Sequence, residues 1–275
     1  MNGIFWAVLL IFGLTACATA STVALESAPV ASPTLLTKKQ PISTPAKTTP
    51  TIAVTPTPFA KAGTISYHTL ELAGQTKLEY ALVLPEKFNP VHEYPILLAL
   101  PPGGQTKDMV EVGLNNYWGT DALKRGWIVL SPIAPEGTLF FQGSESLIPE
   151  FLKFTAEQFH PEGGKYHLAG ISNGGLSAFR LALSYPDKFQ SLTVLPGFPP
   201  TEAEMKNLEL LKDIPVAMFV GEQDSGWREA MEQAQQELTR LGGHATLEVQ
   251  PGEGHILHSI TAAELFEIFE AARKN

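Results

Sequence analysis

The chain has 275 residues, 44% of them apolar and 17% charged, and a net charge of −9. Four Lys and one Glu among residues 1–62 leave −12 on the remainder, and such an acidic surface has no electrostatic reason to hold nucleic acid. One cysteine, Cys17, excludes disulfides and cysteine-based metal sites from whatever folds after it, so a core must hold that part together.

Residues 4–15, IFWAVLLIFGLT, form a nearly unbroken apolar run. It is shorter than the roughly 20 residues that a spanning helix needs, and small residues follow it as they do before a signal-peptide cleavage site. Leu14-Thr15-Ala16-Cys17 resembles a bacterial lipobox. That resemblance implies cleavage before Cys17 and a diacylglycerol on its thiol, which would anchor the protein to the outer face of a bacterial membrane. No Lys or Arg precedes the run. An uncleaved signal anchor reaching about Val23, or plain secretion, are the alternatives, and all three export the chain. Residues 18–62 read as a tether: the stretch 41–58, PISTPAKTTPTIAVTPTP, has no helical or strand period and is kept extended by proline. The expected organisation is a signal peptide over 1–17, a Thr/Pro tether over 18–62 and one folded domain over 63–275.

Within that domain, 64–72 and 77–84 read as two strands joined by a turn at 73–75, too tight for a crossover and therefore an antiparallel edge. Short apolar runs at 95–100, 127–131, 166–169, 192–195 and 216–220 read as strands buried on both faces, and 244–249 alternates. Helical periods separate them. One covers 146–159. Another, over 227–241, puts Trp227, Ala230, Met231, Ala234, Leu238 and Leu241 on one face. A third, over 261–272, aligns Ala262, Leu265, Phe266 and Phe269. Strands alternating with helices predict an α/β domain with a mostly parallel, doubly wound sheet and helices on both faces.

The segment 166–175, YHLAGISNGG, carries the strongest signal: an apolar strand, then G-x-S-x-G around Ser172, then a helix rich in small residues. A serine on a sharp strand-to-helix turn needs glycine two residues before and after it, because those residues crowd each other. The helix N-terminus then points free N–H groups at the place where an oxyanion would form. A Gly-rich turn with Ser172 as a helix cap is the plainer alternative. The chain has neither G-x-G-x-x-G nor G-K-[ST], so nucleotide-loop readings fall away.

On these residues, 64–275 resembles the α/β-hydrolase superfamily, in the style of compact exported carboxylesterases, feruloyl esterases and polyester depolymerases. The resemblance implies a serine esterase acting through an acyl-enzyme, with nucleophile, acid and histidine in that chain order. Ser172 is the expected nucleophile. Asp224, in G-x-x-D after the 216–220 strand, is the expected acid, with Glu222 second and a helix-cap role as the alternative. His255, in a Gly-flanked loop, is the expected base, and His258 is its rival.

One oxyanion-hole donor is expected to be the N–H of Asn173. The other is expected from the loop LPPGGQ at 100–105: Gly104, or Gln105, because proline cannot donate. Relatives usually carry His-Gly where this chain has Pro102-Gly103. Phe140 and Phe141, with Phe198 and Trp227, are candidate walls of a substrate pocket, core packing being the alternative for each. About twenty residues separate Pro196 from Val216, too few for a large lid, so an open site is expected. The chemistry needs no cofactor, and no residue cluster suggests a metal. The expected partner is a small or polymeric ester. A peptidase of the prolyl-oligopeptidase type shares the triad but generally carries an N-terminal propeller where this chain has its tether. A non-catalytic binding protein on the same scaffold is the third reading.

Overall fold

A computed structural model of the chain describes residues 60–274. Cys17, the apolar run at 4–15 and the stretch 41–58 lie outside the described residues. Eight strands form one mixed sheet: β1 (Ile65–Glu71), β2 (Lys77–Val83), β3 (Ile96–Leu100), β4 (Ile128–Pro132), β5 (Tyr166–Gly170), β6 (Phe189–Val194), β7 (Val216–Gly221) and β8 (Ala245–Gln250). Their order is β1-β2-β4-β3-β5-β6-β7-β8. β1 pairs antiparallel with β2, and β2 with β4. The other neighbours are parallel, which makes this the α/β-hydrolase type of sheet.

The α-helices are α1 (Lys107–Gly113), α2 (Gly119–Arg125), α3 (Ile148–Phe159), α4 (Asn173–Ser184), α5 (Glu202–Lys206), α6 (Ser225–Arg240) and α7 (Ala262–Arg273). β3, β4 and β5 are buried at every position. Their alternate side chains enter two separate cores. Leu98 and Leu100 pack with Phe151, Phe179 and Met231, so α3, α4 and α6 cover one face. Leu97 and Ala99 pack with Val110, Ala122 and Phe266, so α1, α2 and α7 cover the other. A two-residue side-chain period on a strand buried on both faces has this consequence.

Two regions differ from the sequence expectation. No helix was expected over 107–125, yet α1 and α2 lie there, joined by a π-helical turn at Leu114–Trp118. The wider turn breaks the 3.6-residue period that would have marked one helix. β6 begins at Phe189, three residues before the apolar run expected at 192. Its second and third residues are polar: Gln190 and Ser191 both bond to the ring of His167 on β5, at 2.7 Å each. Polar residues that pair only across the sheet leave no apolar signal in the chain.

Register brings three carboxyl ends to one level. Leu98 on β3 pairs with both Leu130 on β4 and Leu168 on β5, and Leu100 pairs with Gly170. The loops after β3, β4 and β5 therefore emerge side by side, where open α/β sheets place their sites.

Candidate active site

Ser172 occupies the turn between β5 and α4 with φ 55° and ψ −119°. This backbone conformation costs a non-glycine residue about 1–3 kcal/mol and persists only where its surroundings hold it. Here the Ser172 N–H donates to the carbonyl of Pro196 at 3.0 Å. A side chain at Gly170 would collide with the Gly174 carbonyl, as the motif spacing requires. The reason for Gly174 is different from the one expected. A side chain there would strike the carbonyls of Leu100 and Pro101, because the loop after β3 lies directly across the elbow.

The Ser172 hydroxyl is 2.8 Å from Nε2 of His255, and Nδ1 of His255 is 2.6 Å from Oδ2 of Asp224. With Nδ1–H donating to the carboxylate, Nε2 is left to accept the serine proton. Asp224 closes β7 and stands at the N-cap position of α6, but its side chain makes no cap bond. The carboxylate is turned to the histidine and is 14% exposed, against 39% for the ring. The two rivals lie elsewhere. The Glu222 carboxylate accepts the N–H of Gly252 at 2.9 Å. His258 is exposed, and its N–H is held by Glu253 at 3.0 Å.

The loop carrying His255 is seated by its neighbours. Tyr117, in the π-helical turn, donates its hydroxyl to the carbonyl of Leu257 at 3.0 Å. Burial and the charge of Glu253 push the Tyr117 hydroxyl pKa up, so it remains a donor. Trp227, in the first turn of α6, meets the His255 ring edge-on with centroids 4.8 Å apart. Tyr117 had no sequence signal, since its partner is a main-chain carbonyl 140 residues away.

Asn173 opens the twelve-residue helix α4, so its N–H points out of the positive end of the helix dipole. Among the described residues neither this N–H nor that of Gly104 has an acceptor. Gln105, the second candidate donor in that loop, is excluded. It is fully buried, and its N–H donates to the carbonyl of Pro102 at 3.0 Å.

The four aromatic candidates divide. Phe140 is fully buried and belongs to the core with Phe151 and Phe179, so it cannot wall a pocket. Its neighbour Phe141 is half-buried. Phe198 packs edge-on against Trp227 at 5.0 Å, so these two make an aromatic flank beside His255. A cavity of about 880 Å³ is lined by Lys77, Glu79, Ala134, Thr138 and Ser144 rather than by Ser172. Its walls come from the start of β2 and from the segment after β4. Between β6 and β7 stand only α5 and a short 3-10 turn at Leu208–Leu211. Among the described residues no group of three or more His, Cys, Asp or Glu is placed to hold a metal ion.

Sheet order, crossovers and a strained serine at the end of β5 define an α/β-hydrolase-type protein. The Esterase family model matches residues 133–274, and the chain belongs to that family. No curated protein matches the sequence. Solved structures share the fold. A ferulic acid esterase superposes with a TM-score of 0.61 at 17% identity, covering 77% of this chain and 97% of its own. An S-formylglutathione hydrolase from Agrobacterium tumefaciens gives 0.60 at 15% identity, covering 78% and 96%. A thermostable esterase gives 0.60 at 16% identity over 78% of this chain, which spans 62% of that longer protein. A dipeptidyl peptidase 4 from Porphyromonas gingivalis gives 0.60 at 12% identity, with 35% of its length covered.

Proposed function

We propose that this protein is a serine hydrolase that cleaves carboxylic esters through an acyl-enzyme. The observation that carries the reading is the unbroken chain from Asp224 through His255 to the strained Ser172. In this mechanism Ser172 Oγ attacks the ester carbonyl while His255 Nε2 takes the hydroxyl proton. The carbonyl oxygen becomes an oxyanion facing the N–H groups of Asn173 and Gly104. Collapse expels the alcohol, which receives the proton from His255. Water then attacks the acyl-enzyme by the same path, with His255 again taking and returning a proton. Asp224 keeps the ring oriented and stabilises its protonated form. Trp227 and Phe198 supply an apolar flank on the histidine side, and the absence of a large insertion between β6 and β7 suits bulky esters.

Esters are preferred to peptides because the family match points that way. The test is fluorophosphonate labelling followed by peptide mass analysis. Modification at Ser172, abolished in Ser172→Ala together with p-nitrophenyl acetate hydrolysis, supports the reading. Activity of Ser172→Ala within tenfold of the wild type overturns it.

The same reading places the enzyme outside the cell, held to a membrane through lipid on Cys17 and carried away from the surface by the tether. Its support is the placement of the sole cysteine in a lipobox-like tetrapeptide ahead of a Thr/Pro stretch.

A further inference from the structure

Two backbone N–H groups from different elements must converge on one oxygen if the proposed chemistry is to work. Their relative position is therefore a property of whatever joins the loop after β3 to the start of α4. In the turn at 102–105 the Gln105 N–H closes onto the Pro102 carbonyl, and Gly103 has φ 56°. The amide of Asn173 donates Nδ2–H to the Gly103 carbonyl at 2.9 Å. In a trans peptide the carbonyl of Gly103 and the N–H of Gly104 point in opposite directions. Holding one fixes the aim of the other.

The foot of the turn is held by Gln105. This residue is fully buried and sits at φ 53°, a strained value for a side chain that is not glycine or asparagine. Its main-chain carbonyl accepts the Ala134 N–H at 2.9 Å. Its side-chain Oε1 accepts the Phe140 N–H at 2.8 Å, and its Nε2 donates to Ser177 Oγ at 2.9 Å. Ser177 passes the link on, donating its hydroxyl to the Asn173 carbonyl at 2.9 Å. The circuit is closed: Asn173 side chain to Gly103, along the turn to Gln105, across to Ser177 and back to Asn173.

We infer that Gln105 is a positioning residue that sets the spacing between the Gly104 and Asn173 donors. It makes no contact with the reacting atoms and acts by locking the loop to the nucleophile helix. The inference rests on the proposed reading of the site. A buried glutamine with both ends of its amide used is a costly way to fill a core, since leaving either end unpaired costs about 1–3 kcal/mol. Fixed geometry is what that arrangement secures.

The test compares Gln105→Met, which keeps the bulk and removes both amide bonds, with Ser177→Ala, which removes the anchor alone. In the full-length protein, Gln105→Met is expected to lower kcat on p-nitrophenyl acetate by about ten- to a hundredfold, with KM within about threefold. Affinity for phenylboronic acid, which forms a tetrahedral adduct on a serine, should fall by a similar factor. Ser177→Ala should give part of the loss, and the double variant should be no worse than Gln105→Met. Thermal melting of each variant separates lost geometry from lost fold, and if Gln105→Met does not fold, Ser177→Ala carries the kinetic test. Wild-type kcat and boronate affinity in the folded variants, or a loss confined to KM, overturn the inference. Activity remaining in Ser172→Ala would instead overturn the reading of the site on which it rests.

Discussion

The carbonyl of Glu253 accepts the N–H of Gln223 at 2.8 Å, so the loop that carries His255 lies across the strand end that carries Asp224. The Glu222 N–H reaches the Gln250 carbonyl at 3.0 Å, and the Glu222 carboxylate holds Gly252 from the side. Acid and histidine thus come from neighbouring strands whose loops are bonded to each other.

That contact has a weak point at Gly221. A side chain there would collide with the carbonyls of Gly254 and Glu253. Gly221→Ala is expected to lift the histidine loop, lower kcat at least about tenfold and cost about 1–3 kcal/mol of stability. Steady-state kinetics beside urea unfolding checks both, and wild-type kcat would show that the loop is not seated by this contact.

Removal of the His255 ring should reduce ester hydrolysis by several orders of magnitude, since among the described residues no other imidazole bonds to Ser172. His258→Ala should leave kcat within about twofold, because among the described residues the hydrogen bond of His258 is made by its main chain, to Glu253. The reverse pattern in p-nitrophenyl ester assays would transfer the role of base to His258.

His167 makes stability depend on pH. It is buried between Trp127 and Phe269 and bonded to Ser191 and Gln190, and burial, then the charge of Arg273, lowers its pKa from 6.5 to about 3. The unfolded chain takes up the proton near 6.5 while the folded chain refuses it. Stability is thus intact above that pH and is lost as pH falls toward about 3, by on the order of 1 kcal/mol per unit. Urea unfolding from pH 7 to 4.5 should show this loss, and His167→Gln should show a slope shallower by about one proton. Equal slopes would place the pH dependence elsewhere.

Metabolic labelling with a fatty acid should mark the wild-type protein, and Cys17→Ser should abolish the label. Two or three acyl chains hold firmly where one is marginal. Ala60 packs on the core and the Gly63 N–H bonds to the Leu84 carbonyl, so a chain beginning at Ala60 should fold and keep full activity. Unlabelled wild-type protein would favour a signal anchor, and an inactive shortened chain would give the tether a second role.

Much of this molecule was legible along the chain because the constraints involved are local. An apolar run of five residues can only be a buried strand or a helix segment, and the turns between the runs decided which. The elbow at Ser172 shows itself because a strained turn between strand and helix admits few residues on either side. Asp224 and His255 were legible as residues that follow strands, since a parallel sheet sends its loops to one edge. Tertiary structure alone decided the rest. Phe140 and Phe141 are adjacent and chemically identical, and one is core while the other is half-buried; the buried one is the residue whose N–H is held by the Gln105 amide from a distant loop. The polar start of β6 reads as loop until His167 is placed beside it. The circuit through Gln105, Ser177 and Asn173 joins residues 72 positions apart, and hydrogen bonds of that reach leave no period and no motif in a sequence.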